Sequence, residues 1–390
     1  MSIEYIYALV VLAVLLAFLL MVIINLRLLP TTTDYEPLPG AHPTVAVLVP
    51  ARNEATNIEG CLRSLVAQDY PNLQIWLYDD QSTDDTVAIA ESTAAVLASE
   101  NEHATIRLVS GLAPPPPGWL GKANALHNLH AALRTESDPD FVLFTDADVR
   151  FEPPAISQAI ATALAYRAGL LSIFPRQTVV TLAERFAVPI ALHWTVYNFL
   201  PLPAAFDTKI PAFAAANGQF MLFTREAYEA CGGHAAVRGD VLEDVALARA
   251  VKRAGHRSIL ADGGPTVSTR MYKGLGEVWR GYSKNAYAFF NYNPLFLLIG
   301  VLGLLALYVT PPVLALPAFV AGDWTLGALF VAHYLIAVQT RLFLATRFLY
   351  PLPPTFAHPV AILFFVAIQL NSLRWHITRQ AEWKGRSLRR

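Results

Sequence analysis

FVLFTDADV, residues 141–149, is an apolar run that closes on two aspartates one residue apart. Five consecutive bulky, β-branched or aromatic residues predict a buried strand. Side chains alternate along an extended chain, so Asp146 and Asp148 leave the strand end pointing the same way. Two carboxylates so placed make a hard-oxygen site for a divalent cation that also binds phosphate. The plainer alternative is a solvated strand-end turn, because Asp is common there. The sequence around the pair has to decide between them.

Working outward, apolar strands alternate with amphipathic helices. TVAVLV (44–49) reads as a strand and 55–67 as a helix. Strand 74–78 precedes helix 84–98, and strand 104–109 precedes a proline run (114–117) and helix 122–134. This alternation predicts an α/β fold with a doubly wound, mostly parallel sheet. Ligands in such sheets bind at the carboxyl ends of the strands. Polar residues break the apolar pattern at those ends: Pro50-Ala51-Arg52-Asn53-Glu54, Asp79-Asp80 and Asp146-Ala147-Asp148. Further on, 219–224 reads as a strand and 241–253 as an amphipathic helix. The apolar, aromatic segment 185–206 is read as a surface resting on the membrane edge, with a place in the core as the alternative.

The chain has 390 residues, of which 54% are hydrophobic and only 15% charged, with a mean hydropathy of +0.39. Soluble domains carry about 25% charged residues. The apolar excess gathers at the two ends. Residues 5–26 hold no charged side chain, enough helix to cross a ~30 Å hydrocarbon core. With no preceding basic residue and no small-residue cleavage site, the run reads as an uncleaved anchor. Three more apolar stretches follow, at about 295–320, 326–349 and 359–373. Pro311-Pro312 predict a kink or break in the first, Arg341 and Arg347 draw part of the second towards the interface, and the third is short for a full crossing. Basic residues cluster at Arg270, Lys273, Arg280 and Lys284, and again at Arg374, Arg379, Lys384, Arg386, Arg389 and Arg390. Positive charge marks the cytoplasmic side, so both clusters are expected there and one C-terminal stretch is expected not to cross fully. The expected organisation is a transmembrane anchor (1–30), a catalytic domain (40–270), an interfacial segment (271–293), membrane helices (294–375) and a basic tail (376–390). The implied location is the cell inner membrane or plasma membrane, multi-pass, with domain 40–270 on the cytoplasmic side. A formal net charge of −1 gives no case for nucleic acid. Cys61 and Cys231, the only cysteines, make no disulfide framework and suit a reducing compartment. His127, His130, His193 and His234 lack a paired zinc spacing and read as single surface or core residues.

These pieces occur in a recognisable order. VAVLVPARNEATNIEGCLRSL (45–65), LYDDQSTDDT (77–86), GWLGKANAL (118–126), FTDADV (144–149), NGQFMLFTREAYEACGGH (217–234) and LEDVALARAVKRAGH (242–256) together resemble the family-2 inverting glycosyltransferases of the GT-A fold. The terminal apolar helices and Trp383-Lys384-Gly385-Arg386 resemble the membrane-anchored bacterial subgroup associated with hopanoid and carotenoid glycosylation. The resemblance implies that Pro50, Arg52 and Glu54 grip the nucleotide and that Asp79 and Asp80 meet base and ribose. It places Lys122 near the diphosphate, although a solvated helix-start lysine is an equal alternative. It also implies Mg2+ or Mn2+ on Asp148, with Asp146 beside the metal or the sugar. Asp244 would be the catalytic base, and Glu243 would orient it or the acceptor. Asn217-Gly218-Gln219 would shape the sugar pocket. The family's processive polymerases carry Gln-x-x-Arg-Trp. Residues 276–281 here read GEVWRG, so the glutamine is missing and the Trp-Arg order is reversed. Arg280 is still expected to reach the diphosphate, while Trp279, Tyr282 and Tyr287 suit an interfacial belt. The expected partners are a nucleotide-sugar, a lipid or isoprenoid-type acceptor and a membrane. A processive polysaccharide synthase and a catalytically silent nucleotide-binding scaffold are the alternatives.

Overall fold

A computed structural model describes residues 2–36, 42–100, 105–380, 382–383 and 386–387, with the side chains of the last two pairs excepted. Residue 40, Ala104, Lys384, Arg389 and Arg390, which belong to segments read above, lie outside the described residues. The strands among the described residues are β1 (Val45–Ala51), β2 (Leu73–Asp79), β3 (Ile106–Ser110), β4 (Phe141–Thr145), β5 (Val149–Phe151), β6 (Leu170–Phe174), β7 (Arg176–Gln177), β8 (Phe220–Thr224), β9 (Ser258–Asp262) and β10 (Val267–Thr269), with a short antiparallel pair, β11 (Glu382–Trp383) and β12 (Arg386–Ser387), in the tail. Seven of them form one sheet in the order β3-β2-β1-β4-β8-β6-β9. β3, β2, β1 and β4 run parallel, whereas β8 is antiparallel to both its neighbours. The fold is therefore the expected α/β sheet with one reversed strand. That reversal matters for the site. Because Phe220 pairs with Thr145, the start of β8 lies beside the end of β4. Asn217-Gly218-Gln219 thus arrive at the same sheet edge as Asp146 and Asp148.

The sheet core is built as the apolar runs demand. Val45, Val47 and Val49 face one layer with Leu143 and Ile58, and Ala46 and Leu48 face the other with Phe144 and Leu126. Alternation along each strand feeds two helical layers, the signature of a doubly wound sheet. A small second sheet pairs β10 with β5 and β7. It ends the catalytic unit at Thr269 and sends the chain over the cleft as Arg270–Lys273 and helix Gly274–Phe289.

Among the described residues, four helices are long and apolar enough to span a membrane: Ile3–Leu28, Pro294–Val320, Trp324–Arg347 and His358–Thr378. The last has 21 residues, longer than the stretch read from hydropathy, because Arg374 and His376 continue the helix without ending it. The prolines at 311 and 312 do not break their helix either. A π-turn, Leu305–Val309, precedes them. Wider turns relocate the backbone hydrogen bonds that proline cannot make, and both prolines then start the following α-helical piece. His358 packs against Tyr308 and His376 against Tyr292 (ring centroids 5.1 and 5.0 Å), so His358–Thr378 runs antiparallel to the start of the preceding apolar pair. Its C-terminal end therefore returns to helix Gly274–Phe289, where Asn371 donates to Ser283 Oγ (2.9 Å) and Tyr287 N–H to Ser372 Oγ (2.9 Å). Tyr334 donates to the Phe356 carbonyl (2.7 Å), about 20 Å along its helix from Arg347. The chain between 348 and 357 thus runs back down into the bundle before the last helix rises.

Segment 185–206 is not a membrane-edge surface. It folds as helix Leu182–Pro189, a π-turn Ile190–Trp194 and helices Thr195–Phe199 and Leu202–Phe206, and it buries Ile190, Trp194, Tyr197 and Leu202 between the sheet and the apolar helices. Asn25 of the first helix fixes it there. Its amide donates to the carbonyls of Tyr197 and Leu200 (both 2.8 Å) and accepts from Leu202 N–H (3.0 Å). A fully buried asparagine is tolerated because every polar atom is satisfied. Tyr282 and Tyr287 are likewise buried rather than belt residues, the first packed edge-on to Tyr272 at 5.0 Å. At the far end of β9, Asp262 is buried and paired with Arg347, whose guanidinium also donates to Thr31 (2.7 Å). Arg347 is thus a tie between the apolar helices and the sheet.

Candidate active site

A cleft of about 940 Å3 opens over the carboxyl ends of β1 and β4 and the start of β8, large enough for a nucleotide-sugar-sized ligand. Pro50, Arg52, Glu54, Asp80, Lys122, Asp146, Asp148, Glu243, Asp244 and Arg280 all line it. Asp79 does not. It lines a small separate pocket and accepts the Ser82 N–H (3.2 Å), shaping the 80–82 loop from beneath. Arg52 braces the same loop by donating to the Asp80 and Gln81 carbonyls.

The cleft floor holds two acidic pairs from different elements. Asp146 and Asp148 lie beyond β4 in a turn closed by the Val149 N–H to Asp146 carbonyl bond (3.2 Å), so a turn and not the expected strand alternation brings both to the cleft. Glu243 and Asp244 open helix Glu243–Arg253, which buries Leu247, Ala248 and Val251 on one face. Acids in a first helical turn also face the positive end of the helix dipole. A Gly232-Gly233 turn precedes this segment. Both glycines have positive φ, and a Cβ on Gly233 would sit 2.7 Å from the Tyr228 ring, so only glycine fits. Lys122, at the start of helix Gly121–Glu136, lies between the pairs. Its Nζ is 2.7 Å from Asp146 and 3.4 Å from Glu243. Burial disfavours the ammonium, but Asp146, Glu243 and Asp244 outweigh it and hold Lys122 charged. Gly218 completes the floor: its N–H donates to Asp244 (3.0 Å), and a Cβ there would come within 3.1 Å of Lys122 Nζ.

The electrostatics differ between the pairs. Burial, then Asp146 and Glu54, push Asp148 up to about 7, and its Oδ1 is buried without a hydrogen-bond partner. Lys122 and Thr269 restrain the rise without cancelling it, and a carboxylate oxygen crowded by like charge with no donor of its own suits a cation. That atom and the neighbouring Asp146 suit a divalent ion. Among the described residues no three His, Cys, Asp or Glu side chains form a complete protein cage. Such a donor set matches a metal that takes its remaining ligands from phosphate and water. Burial and Glu243 raise Asp244 to about 6, while the Val245 and Gly218 N–H groups restrain the rise.

Residues outside the motif reading complete the site. Arg150 donates to the Ala147 and Val149 carbonyls and to the Asn57 carbonyl, pinning the aspartate loop to the first strand-end loop. Arg270, Tyr272, Lys273, Lys284 and Asn285 line the cleft from above with the exposed Arg280. The basic cluster assigned to the membrane junction is therefore part of the cleft wall. Its spacing along helix Gly274–Phe289, four residues from Arg280 to Lys284, was the available signal. Glu184 holds this roof. Fully buried, it accepts from Val180 and Gly274 N–H, Thr181 Oγ1 and Arg270. Burial works against its charge, but Arg270 and these donors lower its pKa to about 2. Glu184→Gln is expected to destabilise the detergent-solubilised chain by about 2 kcal/mol, the loss of charge-assisted bonds, measured by thermal unfolding. An unchanged midpoint would show that the roof does not depend on this carboxylate.

A mostly parallel sheet with one reversed strand and a cleft at its carboxyl edge is the GT-A arrangement. The chain belongs to the glycosyltransferase like family 2, whose model matches residues 42–276. It is similar to the 4,4'-diaponeurosporenoate glycosyltransferases of Staphylococcus aureus strains MRSA252 and USA300, at 27% identity over 249 residues, 63% of this chain. The chain spans 61% of the length of those relatives. Among solved structures it shares its fold with a mannosyltransferase from Pyrobaculum calidifontis in complex with GDP-Man and Mn2+. That likeness has a TM-score of 0.55 at 20% identity and covers 95% of this chain and 99% of that one.

Proposed function

We propose that the chain is an inverting glycosyltransferase that moves one sugar from a nucleotide-sugar donor to a hydroxyl on a lipid or other membrane-associated acceptor, with Mg2+ or Mn2+ held by Asp148 and Asp146. The observation that carries this reading is the meeting of the two acidic pairs across Lys122 in one cleft, one pair with an unpartnered carboxylate oxygen and the other hydrogen-bonded but raised in pKa. The GDP-Man and Mn2+ of the Pyrobaculum enzyme and the carotenoid-related name of the staphylococcal relatives support the donor and acceptor classes.

In this reading Pro50, Glu54 and Asp80 line the nucleotide end, with Arg52 and Asp79 setting the loop beneath it. The metal, when bound, neutralises charge on the departing nucleoside diphosphate. Lys122, Arg280 and the roof cations Arg270, Lys273 and Lys284 face the same negative charge. Asp244 takes the proton of the acceptor hydroxyl as it attacks the anomeric carbon in line with the leaving group. Glu243, tied to Lys122, keeps Asp244 oriented. The cleft domain then faces the cytoplasm, with the apolar helices in the membrane and the interfacial segment between them.

The return of helix His358–Thr378 to helix Gly274–Phe289 supports a tail on the catalytic side. Single cysteines at the exposed Ser99 and at Ser387 are therefore expected to label from the same side of sealed vesicles, with little background because Cys61 and Cys231 are buried. Labelling from opposite sides would overturn this topology. The function itself is tested by the metal and base variants argued in the Discussion.

A further inference from the structure

The sheet edge beside the two aspartates carries a glutamine pair that the catalytic reading does not use. β4 ends at Thr145 and β5 begins at Val149, so the 146–148 turn joins the large sheet to the small one. Two side chains join the same sheets. Gln219 precedes β8, whose first residue pairs with Thr145. Gln177 lies in β7, where Thr269 pairs with both Gln177 and Val149, the residue after Asp148. Gln177 Nε2 donates to Gln219 Oε1 and to the Pro175 carbonyl, both at 3.1 Å. Both glutamines are buried, and Gln219 lines the cleft. Its backbone is fixed as well: the N–H donates to Asn217 Oδ1 (2.9 Å) and the carbonyl accepts from Thr145 Oγ1 (2.7 Å).

These bonds decide which way each amide faces. A backbone carbonyl can only accept. Turning the Gln177 amide over would set its oxygen against the Pro175 carbonyl, so Nε2 is its donating end even though Oε1 is left buried without a partner. The other N–H of Gln177 then needs an acceptor, and Gln219 must meet it with Oε1. Gln219 Nε2 becomes the far end of its amide. Among the described residues that nitrogen has no hydrogen-bond partner, yet it is not sealed from solvent as Gln177 Oε1 is. The cleft is the open space that Gln219 lines, so two N–H groups face the ligand. Hard cations take oxygen ligands, so an amide turned this way does not extend the metal site of Asp146 and Asp148. It can donate to an oxygen of the sugar or of the diphosphate. We propose that Gln177 is a positioning residue that holds the Gln219 amide with its donor end in the cleft, where it bonds an oxygen of the donor's sugar-diphosphate. The proposal rests on the nucleotide-sugar reading above.

The test is calorimetric binding to the full chain in neutral detergent with Mn2+, using UDP-glucose, GDP-mannose, UDP and GDP as probes. Gln177→Met keeps the length of the side chain and removes its donors, which frees the Gln219 amide to turn. It is expected to weaken the nucleotide-sugar that the parent binds by about 10-fold, and Gln219→Met to do the same. The two losses should not add. The double variant should match Gln219→Met within about twofold, because Gln177 acts through Gln219, whereas a merely structural role would give additive losses. A loss confined to the nucleotide-sugar assigns the contacted oxygen to the sugar, and an equal loss with UDP or GDP assigns it to the diphosphate. Gln219→Glu keeps the oxygen that Gln177 holds and puts a second oxygen in place of the amide donor. It should weaken binding at least as much as Gln219→Met, and it carries the test if Gln177→Met does not fold. Parental binding by Gln177→Met or by Gln219→Glu, or losses that add, would overturn the proposal. A parent that binds none of the four probes would overturn the nucleotide-sugar reading itself, and this proposal with it.

Discussion

Asp148→Ala is expected to abolish sugar transfer while leaving the protein folded. The loss should be roughly 10³-fold or more, because a metal on the diphosphate stabilises several kcal/mol of developing charge. The structure adds a second, opposite expectation. Without metal, Asp148 is a carboxylate pressed by Asp146 and Glu54, with Oδ1 unpartnered. Removing a buried carboxylate whose burial and like-charge neighbours outweigh Lys122 and Thr269 relieves a cost. The variant should therefore unfold at or above the parent's temperature in chelator, whereas Mn2+ should raise the midpoint of the parent and not of the variant. Turnover with a lipid acceptor and unfolding with and without Mn2+ separate these effects. Full parental activity in excess chelator would sink the metal assignment. An equal Mn2+ shift in Asp148→Ala would show that the ion binds elsewhere.

The parts of this site legible in the sequence are those set by local geometry. The apolar runs predicted the sheet and the strand end that carries Asp146 and Asp148, although a turn rather than strand alternation aims the two side chains. The amphipathic pattern placed Glu243 and Asp244 at a helix start, where they lie half-buried on the cleft floor. What failed depended on contacts distant in sequence. The aromatic segment 185–206 has the composition of a membrane surface, and only its packing against Asn25 and β9 makes it core. Arg270 and Lys284 carry the charge pattern of a membrane junction, and only the fold-back of helix Gly274–Phe289 turns them into the cleft. Glu184 and Arg150 sit in no motif, because their work is to hold backbone groups of other segments. Asp79 has the right chemistry for ribose, but it ends β2 facing the next loop rather than the cleft.

Asp244→Asn tests the chemistry itself. The substitution keeps the shape of the side chain and lets its amide oxygen accept the Gly218 N–H, so the floor of the cleft stays in place. It removes the basicity. Loss of a general base costs about 10²–10⁴-fold in rate. Donor affinity should change much less, because Asp244 opens helix Glu243–Arg253, across Lys122 from Asp146, and is not part of the strand-end loops after β1 and β2. The pH profile carries a sharper signature. Burial and Glu243 raise Asp244 to about 6, and a base must be unprotonated to act. Transfer by the parent should therefore rise with pH through about 6 and level off above it. Asn does not titrate, so the residual activity of the variant should lack that limb. Glu243→Gln provides the contrast: it weakens the like charge on Asp244, so the limb should survive and move to lower pH. The product anomer should be opposite to the donor's, since a single in-line displacement inverts the centre. Donor binding by calorimetry, pH-dependent turnover and product configuration by NMR decide the matter. Parental transfer by Asp244→Asn, or a product that retains the donor configuration, would remove Asp244 as the base of an inverting reaction.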